Sequence, residues 1–140
     1  MNLDKTIFRA YDIRGIVETQ LTTTAALEIG KALGSLAQEK NEDTIICGRD
    51  GRLSSPALSS ALQEGILSTG CHIIDLGVVP SPLVYFAANT LSTRSGVMIT
   101  GSHNPPEYNG VKMMIAGNTL SALDIELLYQ RIEKQDYHQG

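Results

Sequence analysis

The sequence is poor in several features that mark particular protein classes, and cysteine is the first of them. Its 140 residues hold only two cysteines, Cys47 and Cys71, each in an apolar run without a second cysteine or histidine at metal-ligand spacing. His72 follows Cys71 directly, so in a strand the two side chains would point to opposite faces. We therefore expect two reduced, buried thiols, which exclude a disulfide framework and disfavour a metal site.

Long apolar runs and a surplus of basic residues are also missing. No stretch of roughly eighteen apolar residues occurs, and the opening residues lack the charged and then apolar order of a secretory leader. Lysine and arginine number 11 against 15 aspartates and glutamates, which gives a formal charge of −4. These shortages argue against a membrane span and against nucleic-acid binding, and they predict a soluble cytoplasmic protein.

Three catalytic signatures are incomplete. Residues 96–102 have the glycine spacing of a phosphate-binding P-loop, but Ser102 and His103 stand where a lysine and then a serine or threonine are required. Ser102 has Thr100 before it and Asn104 after it, not the two glycines of a hydrolase elbow, and the adjacent His103 would project elsewhere. No dinucleotide fingerprint follows any strand. A nucleotide-binding P-loop is excluded, and a serine hydrolase remains a weak alternative.

What the chain does contain is an alternation of helical and strand-like patterns. Helices are predicted over 23–38, from a serine cap at Ser54 or Ser55 with Pro56 first to Gly70, over 83–91, and from Ser121 onward. Strands are predicted over 44–47, 71–76, 96–100 and 111–115, the last after an Asn109-Gly110 turn signal. This order predicts one α/β domain over residues 1–140, with a mostly parallel mixed sheet in three αβα layers. The last strand follows its predecessor without a helix, so it should be antiparallel.

Apolar residues at helical spacing predict which helix faces are buried. In the first helix they are Ala26, Ile29, Gly30, Leu33, Leu36 and Ala37, in the second Leu58, Ala61, Leu62, Gly65 and Ile66, and in the last Leu123, Leu127, Leu128 and Ile132. Threonines before the first helix are candidate N-caps, and Ser121 with Asp124 resembles a capping box.

One serine lies on a loop rich in glycine, asparagine and proline. Residues 100–110 follow the apolar strand 96–99, so a buried strand would fix the direction of the Ser102 hydroxyl, and Gly101 is expected to let the backbone turn. Residues 48–52 follow the strand 44–47. Because ligands of open α/β sheets gather beyond the carboxyl ends of the strands, we expect both segments at one functional edge.

Three segments resemble the α-D-phosphohexomutase family, specifically its phosphomannomutase/phosphoglucomutase branch. Residues 100–105 (TGSHNP) resemble its phosphoserine loop, residues 8–15 (FRAYDIRG) its N-terminal signature, and residues 48–52 (GRDGR) with Ser54 a third family segment. The resemblance implies that Ser102 carries a phosphoryl group, gives it to a hexose monophosphate and takes the other phosphate back from a bisphosphate intermediate. Phosphate thereby moves between carbon 1 and carbon 6 of the sugar.

The resemblance also implies roles for four further residues. Lys112 would assist proton transfer or orient a hydroxyl, with a strand-edge lysine reaching water as its alternative. Tyr11 and Arg14 would lie near the substrate and the catalytic phosphate, although Tyr11 could simply pack in the chain. His103 would either bond the phosphate or substrate, or lock the loop.

A phosphoserine adds a charge of about −1.5 to −2 and needs cations nearby. Lys112, Arg14 and the helix N-terminus after residues 51–52 are the local candidates. Arg49, Asp50 and Arg52 are better interpreted as an ion-paired turn that supports the serine loop than as substrate contacts. Asn104 and Asn109 are interpreted as loop-forming residues.

The family further implies Mg²⁺, held by the phosphate on Ser102 and by an Asp-x-Asp-x-Asp loop that this sequence does not contain. In the family that loop and the sugar-binding residues belong to the second, third and fourth domains. The chain is therefore expected to be the equivalent of domain 1, inactive by itself, with the remaining domains and a hexose phosphate as partners. Two alternatives stay open: a phosphoglucosamine mutase, whose loop usually has alanine where this chain has Gly101, and a stand-alone binding module.

Overall fold

The computed structural model describes residues 3–90 and 93–140, which form one mixed sheet between helical layers. The strands are β1 (Ile13–Ile16), β2 (Thr44–Arg49), β3 (His72–Val78), β4 (Gly96–Ile99), β5 (Tyr108–Ile115) and β6 (Asn118–Thr119). The helices are α1 (Thr23–Glu39), α2 (Ser55–Ser68), α3 (Ser81–Thr90) and α4 (Ala122–Lys134), with a 3-10 turn at Lys5–Ile7.

The strand order is β1-β5-β4-β2-β3, and β6 pairs with β5. Strand β2 is parallel to both β3 and β4, whereas β5 is antiparallel to β4, β1 and β6. The predicted αβα architecture is confirmed, and so is the antiparallel pairing of the strands at 96–99 and 111–115. This topology brings the carboxyl ends of β2 and β4 to the same edge of the sheet.

The two faces of the sheet are covered by different helices. The larger core lies beneath α1, α2 and α4, where Ile45, Val97 and Val111 of the sheet are buried. On the other face, Ile46, Met98 and Met114 pack with Val84 and Ala88 of α3. The buried faces predicted for α1 and α2 are confirmed, with Leu36 and Ala61 partly buried at their margins.

Helix boundaries follow local capping chemistry. Thr22 caps α1 by accepting a hydrogen bond from the Ala25 N–H, and Ser121 and Asp124 form a reciprocal capping box on α4. Ser54 precedes α2 but makes no capping bond, since its hydroxyl accepts instead from the Asn109 side chain. Helix α2 begins at Ser55, so Pro56 is its second residue and not its first. Gly70, at φ +90°, lies just past its end as predicted.

The structure differs from the sequence predictions at several elements. Strands β1 and β6 were not predicted, and β5 begins at Tyr108, so the supposed Asn109-Gly110 turn lies inside a strand. Helix α4 buries Ile125, Leu128 and Ile132, whereas the predicted inward residues Leu123 and Leu127 are exposed. The reason is that α4 carries two apolar stripes and packs only one of them into the larger core, next to α1. Helix α3 begins at Ser81, and its predicted end at Leu91 lies outside the described residues.

Both cysteines are free and buried, as predicted. Burial, reinforced by the negative charge of Asp75, raises the pKa of the Cys47 thiol to about 12. Within the described ranges, none of the helices combines the length and the apolar character that crossing a membrane requires.

Candidate active site

The serine loop leaves β4 at the carboxyl edge of the sheet and turns at Ser102. Ser102 adopts a left-handed backbone conformation, φ +53°, and its N–H donates to Thr100 Oγ1 at 3.0 Å. The N–H of Asn104 closes the turn on the carbonyl of Gly101 at 3.0 Å. Gly101 itself has a φ outside the left-handed region. The expectation that Gly101 supplies the sharp turn is therefore wrong, since the left-handed residue is the serine.

The guanidinium of Arg52 is the main support of this loop. Its Nη1 donates to the carbonyls of Pro105 at 2.8 Å and Tyr108 at 3.1 Å, and its Nη2 to those of Ser102 at 3.1 Å and Asn104 at 2.7 Å. Its Nε lies 3.3 Å from Asp50 Oδ2. One side chain from the loop after β2 thus fixes three carbonyl groups of the loop after β4 and that of Tyr108, the first residue of β5.

Asp50 connects the same two loops through its carboxylate. It accepts hydrogen bonds from the Gly101 N–H at 2.9 Å, the Ser55 hydroxyl at 2.6 Å and the Arg52 N–H at 3.1 Å. Partial burial acts to raise the pKa of Asp50, but these hydrogen bonds outweigh it and hold that pKa below its usual value. Asp50 therefore stays ionised beside Arg52 at neutral pH.

Arg14, Lys112 and Tyr11 line one open cavity of about 520 Å³ beside the serine loop. Arg14 is opposite Gly110 in the β1–β5 pair, and Lys112 is opposite Met98 in the β4–β5 pair, so both cations occupy the same face of the sheet. The other lining residues are Arg9, Ala10, Asp12, Tyr85, Met113 and Thr119. Tyr11 is 81% exposed, which rules out the alternative that it only packs inside the chain.

Asn104 joins the cavity to the serine loop. Its Oδ1 accepts a hydrogen bond from Arg14 Nη1 at 2.7 Å, and Arg14 Nη2 is paired with Asp12 Oδ2 at 2.7 Å. Ser102 is half-buried and His103 is exposed on the loop, and neither belongs to the lining of the cavity. The structure thus brings Arg14, Lys112 and Tyr11 together and links them to Ser102 through Asn104.

Comparisons with known proteins identify the family of this chain. The family model for phosphoglucomutase/phosphomannomutase, alpha/beta/alpha domain I, matches residues 5–139. The chain belongs to this family. It is 51% identical over 138 residues to a phosphomannomutase/phosphoglucomutase of Pseudomonas aeruginosa, covering 99% of this chain and 30% of that protein. It is 48% identical over 136 residues to a phosphoglucomutase of Neisseria meningitidis, covering 97% of this chain and 30% of that protein.

A solved phosphohexomutase structure has the same fold. The crystal structure of a phosphoglucomutase/phosphomannomutase family protein from Burkholderia thailandensis superposes with a TM-score of 0.97 at 40% identity, covering 99% of this chain and 32% of that one. The chain therefore spans about 30% of the length of the curated relatives it matches.

Several residues of this phosphohexomutase domain have surroundings that the sequence did not reveal. Arg49 lies toward β3, 3.9 Å from Asp75, and not against the serine loop. Asn109 is buried in β5, where its amide donates to the hydroxyls of Ser54 at 2.9 Å and Ser55 at 3.0 Å. Asp12 and Tyr85 were not predicted to belong to the site at all. Asp12 lies within the signature at residues 8–15 and pairs with Arg14 two positions further on, so the sequence did carry a signal for it. Tyr85 had none, because it reaches the cavity from the distant helix α3.

The two aspartates beside the site, Asp12 and Asp50, are already engaged. No group of three or more histidine, cysteine, aspartate or glutamate side chains that could hold a metal ion occurs in residues 3–90 and 93–140. Asp12 pairs with Arg14, and Asp50 with Arg52 and the loop amide. Further oxygen ligands for a hard cation would have to come from beyond these side chains.

Proposed function

We propose that this chain is the equivalent of domain 1 in a four-domain phosphomannomutase/phosphoglucomutase, with Ser102 as the phosphoryl carrier. Family membership supports the assignment, and so do the names of the relatives that match almost the whole chain. The observation that carries the proposal is the serine loop itself. Its hydroxyl-bearing residue is held in one backbone conformation by Arg52 and Asp50, next to a cavity lined by Arg14 and Lys112. Phosphoryl transfer depends chiefly on such positioning and on positive charge.

The proposed reaction has two symmetrical transfers. In the first, the Oγ–P bond of phosphorylated Ser102 breaks and a new O–P bond forms on a free hydroxyl of a hexose monophosphate, whose proton passes to a base or to Ser102 Oγ. The resulting bisphosphate reorients, and its other phosphoryl group returns to Ser102. The net change moves phosphate between carbon 1 and carbon 6 of mannose or glucose phosphates.

The cavity supplies the charge that this chemistry requires. Lys112 would orient the sugar hydroxyl or move its proton, and Arg14 would face the transferred phosphoryl group from the position set by Asp12 and Asn104. Exposed Tyr11 would contact the sugar, and exposed His103 would bond the phosphate or the substrate. The rest of the substrate would be held by the remaining domains.

Mg²⁺ fits this proposal only in part. The phosphate on Ser102 would provide one ligand, while Asp12 and Asp50 are committed to arginines. When bound, the ion would neutralise negative charge on the phosphoryl group during transfer. The aspartates that complete its coordination would belong to another domain.

The decisive test uses a hybrid enzyme, defined as this chain joined to the remaining part of the Pseudomonas aeruginosa relative. We expect turnover of glucose 1-phosphate by the hybrid and its loss in Ser102→Ala, because the phosphoryl carrier is gone. Ser60→Ala, an exposed serine of α2, is the matched control and should retain full activity. Intact-mass analysis should find one phosphoryl group in the hybrid and none in Ser102→Ala. Unchanged turnover in Ser102→Ala, or a hybrid without activity, would contradict the proposal.

Sugar preference and the alternative of a binding module need separate measurements. Turnover of mannose, glucose and glucosamine phosphates by the hybrid distinguishes a phosphomannomutase/phosphoglucomutase from a phosphoglucosamine mutase. Glycine at position 101 favours the former. A reading frame that continues past Gly140 into an Asp-x-Asp-x-Asp segment would exclude a stand-alone module.

A further inference from the structure

Arg9 lines the same cavity as Arg14 and Lys112, but the proposed reaction has not yet used its charge. The sequence has six arginines, and five of them lie within 3.9 Å of a carboxylate oxygen: Arg14, Arg49, Arg52, Arg94 and Arg131. Within residues 3–90 and 93–140, the exposed guanidinium of Arg9 has neither an ion pair nor a hydrogen bond. An arginine left unpaired in the cavity of an acidic chain is suited to bind an anionic ligand.

The backbone that carries Arg9 is fixed on both sides. Phe8 and Ile13 form an antiparallel bridge. Between them the Arg9 N–H donates to the Asp12 carbonyl at 2.9 Å, which closes a short turn. The Phe8 ring packs edge-on against Tyr129 of α4, with 5.1 Å between the ring centroids. The Arg9 side chain is therefore presented to the cavity from an ordered backbone.

The register of the sheet separates this turn from the serine loop. Strand β5 begins where the serine loop ends, and β1 runs antiparallel to it. Arg14 lies opposite Gly110, near that beginning. Ile13 lies one position further from the loop, and the turn that carries Arg9 lies beyond Ile13. Arg14, which bonds Asn104 of the loop, thus lies on the near side of the cavity and Arg9 on its far side.

A sugar bisphosphate needs cations on both sides of such a cavity. Its phosphates on carbon 1 and carbon 6 are separated by the sugar ring, and each carries about −1.5 to −2 charge at neutral pH. While one phosphoryl group is transferred at Ser102, the other therefore lies away from the cations that face Ser102. A guanidinium offers a planar fork of N–H donors that matches phosphate oxygens.

We propose that Arg9 binds the retained phosphate, defined as the phosphate that stays on the sugar while the other phosphoryl group passes to or from Ser102. The inference rests on the proposed role of Ser102 and adds a substrate-binding residue to it. Because the bisphosphate reorients between the two transfers, Arg9 receives the carbon 1 phosphate in one transfer and the carbon 6 phosphate in the other.

Substitution of Arg9 in the hybrid enzyme tests this role. Arg9→Ala should raise KM for glucose 1-phosphate about tenfold and lower kcat less than about threefold, since it removes a charge-assisted hydrogen bond but leaves the reacting group in place. Arg9→Lys keeps the charge without the fork and should raise KM only about threefold. The control is Arg94→Ala, at an arginine that is 62% exposed and outside the cavity lining, and it should change neither constant more than about twofold.

Hydrolysis of phosphorylated Ser102 separates binding of the retained phosphate from support of the transferred group. In hydrolysis a water oxygen bonds to phosphorus, the Oγ–P bond breaks and a water proton passes to Oγ, so no phosphate is retained on a sugar. Its rate, followed by intact mass, should change less than about twofold in Arg9→Ala. An unchanged KM in Arg9→Ala would overturn the proposal. So would an equal loss of hydrolysis and of sugar turnover, because Arg9 would then act on the transferred group.

A second readout uses the 140-residue chain and needs no turnover. We expect the parent chain to bind glucose 1,6-bisphosphate at least about fivefold more tightly than glucose 1-phosphate, as measured by NMR shifts of the amides of residues 9–12. Arg9→Ala should abolish this preference, and Arg94→Ala should preserve it. A parent chain without the preference, or an Arg9→Ala chain that keeps it, would overturn the site. Full activity of the hybrid with Ser102→Ala would remove the proposed function, whereas the titration would still report on phosphate binding at Arg9.

Discussion

The Asp50 carboxylate accepts hydrogen bonds from a backbone N–H in each of two loops and from a helix hydroxyl, so its charge is part of the fold as well as of the site. Since its pKa is lower in the folded chain than in the unfolded one, the carboxylate stabilises the fold above its ordinary pKa near 3.8. That contribution is lost as pH falls through the lower folded value.

We predict that Asp50→Asn lowers the free energy of unfolding by about 1.5–3 kcal/mol at pH 7, the range for hydrogen bonds to a charged group. The difference from the parent chain should shrink as pH falls from about 3.8 through the lower folded pKa, because the folded parent then becomes protonated at Asp50. Urea unfolding at pH 7 and pH 3 measures both quantities. Asp136→Asn, at an exposed carboxylate, is the control, and a difference that stays constant with pH would argue against the assignment.

The Cys47 thiol gives a second prediction, in which stability decreases as pH rises, the opposite of the pH dependence at Asp50. Burial and the charge of Asp75 raise its pKa from 9.0 to about 12, so the folded chain keeps a proton that the unfolded chain releases. Stability from this group is complete below pH 9 and decreases as pH rises from 9 toward 12.

We expect iodoacetamide to leave Cys47 unmodified in the folded chain at pH 8.5 and to label it in denaturant, as mass spectrometry would show. As pH rises from 8 to 10, the free energy of unfolding should decrease less in Cys47→Ala than in the parent chain. Rapid labelling of the folded chain would mean that the thiol is not buried as described.

Among the elements, those whose signals are local were predicted well. Caps at Thr22 and Ser121 and the apolar faces of α1 and α2 depend on residues within a few positions of one another. Strand β1 has no such signal, because Arg14 and Gly15 interrupt its apolar pattern. It pairs with β5, which lies about two thirds of the chain length further on. Which of the two apolar stripes of α4 is buried likewise depends on tertiary packing, here into the larger core next to α1.

In the candidate site, too, the features with local sequence signals were predicted and those set by distant contacts were not. The serine loop and the segment at 48–52 were expected at one sheet edge because both follow strands, and the structure brings them into contact. Gly101 was expected to form the turn, because a glycine on a loop suggests one, but the left-handed residue of the turn is Ser102. The spatial neighbour of Gly101, Arg52, is separated from it by α2, β3, α3 and β4, and no sequence spacing reveals that contact.

The crossing of α1 and α2 leads to a prediction about helix packing. A Cβ at Gly30 would meet the Leu62 carbonyl, and one at Gly65 would meet the Leu27 carbonyl. These obstacles are backbone atoms, which cannot rotate away. Overpacking costs roughly 1–3 kcal/mol, of which the better helix propensity of alanine returns up to about 1 kcal/mol.

We therefore expect Gly30→Ala and Gly65→Ala each to lower the free energy of unfolding by about 1–2 kcal/mol in chemical denaturation, after subtraction of the helix-propensity gain. Ser60→Ala, at an exposed position of α2, should be neutral or slightly stabilising. If both glycine variants matched the parent, the helices could not approach as closely as described.

At the scale of the whole molecule, the strands of the sheet differ in how well their neighbours shield them from solvent. Strand β4 lies between β2 and β5, and all four of its residues are buried. Strand β3 pairs with β2 along one side in the described chain, and its residues Ile74 and Val78 are 38% and 63% exposed. Strand β6 has two exposed residues. Opening an edge strand disrupts fewer contacts than opening a central one.

Native-state hydrogen exchange on the 140-residue chain should therefore rank the strands. Amides of β2 and β4 should exchange most slowly, close to the rate of global unfolding, while those of β3 should exchange at least about 100-fold faster and those of β6 near the rates of an unstructured peptide. Stabilising the whole domain, for example with an osmolyte, should slow exchange in β2 and β4 far more than in β6, because only global opening exposes the central strands. Equal protection of β3 and β4 would mean that the edge strand is covered by a further contact and that the domain opens as a single unit.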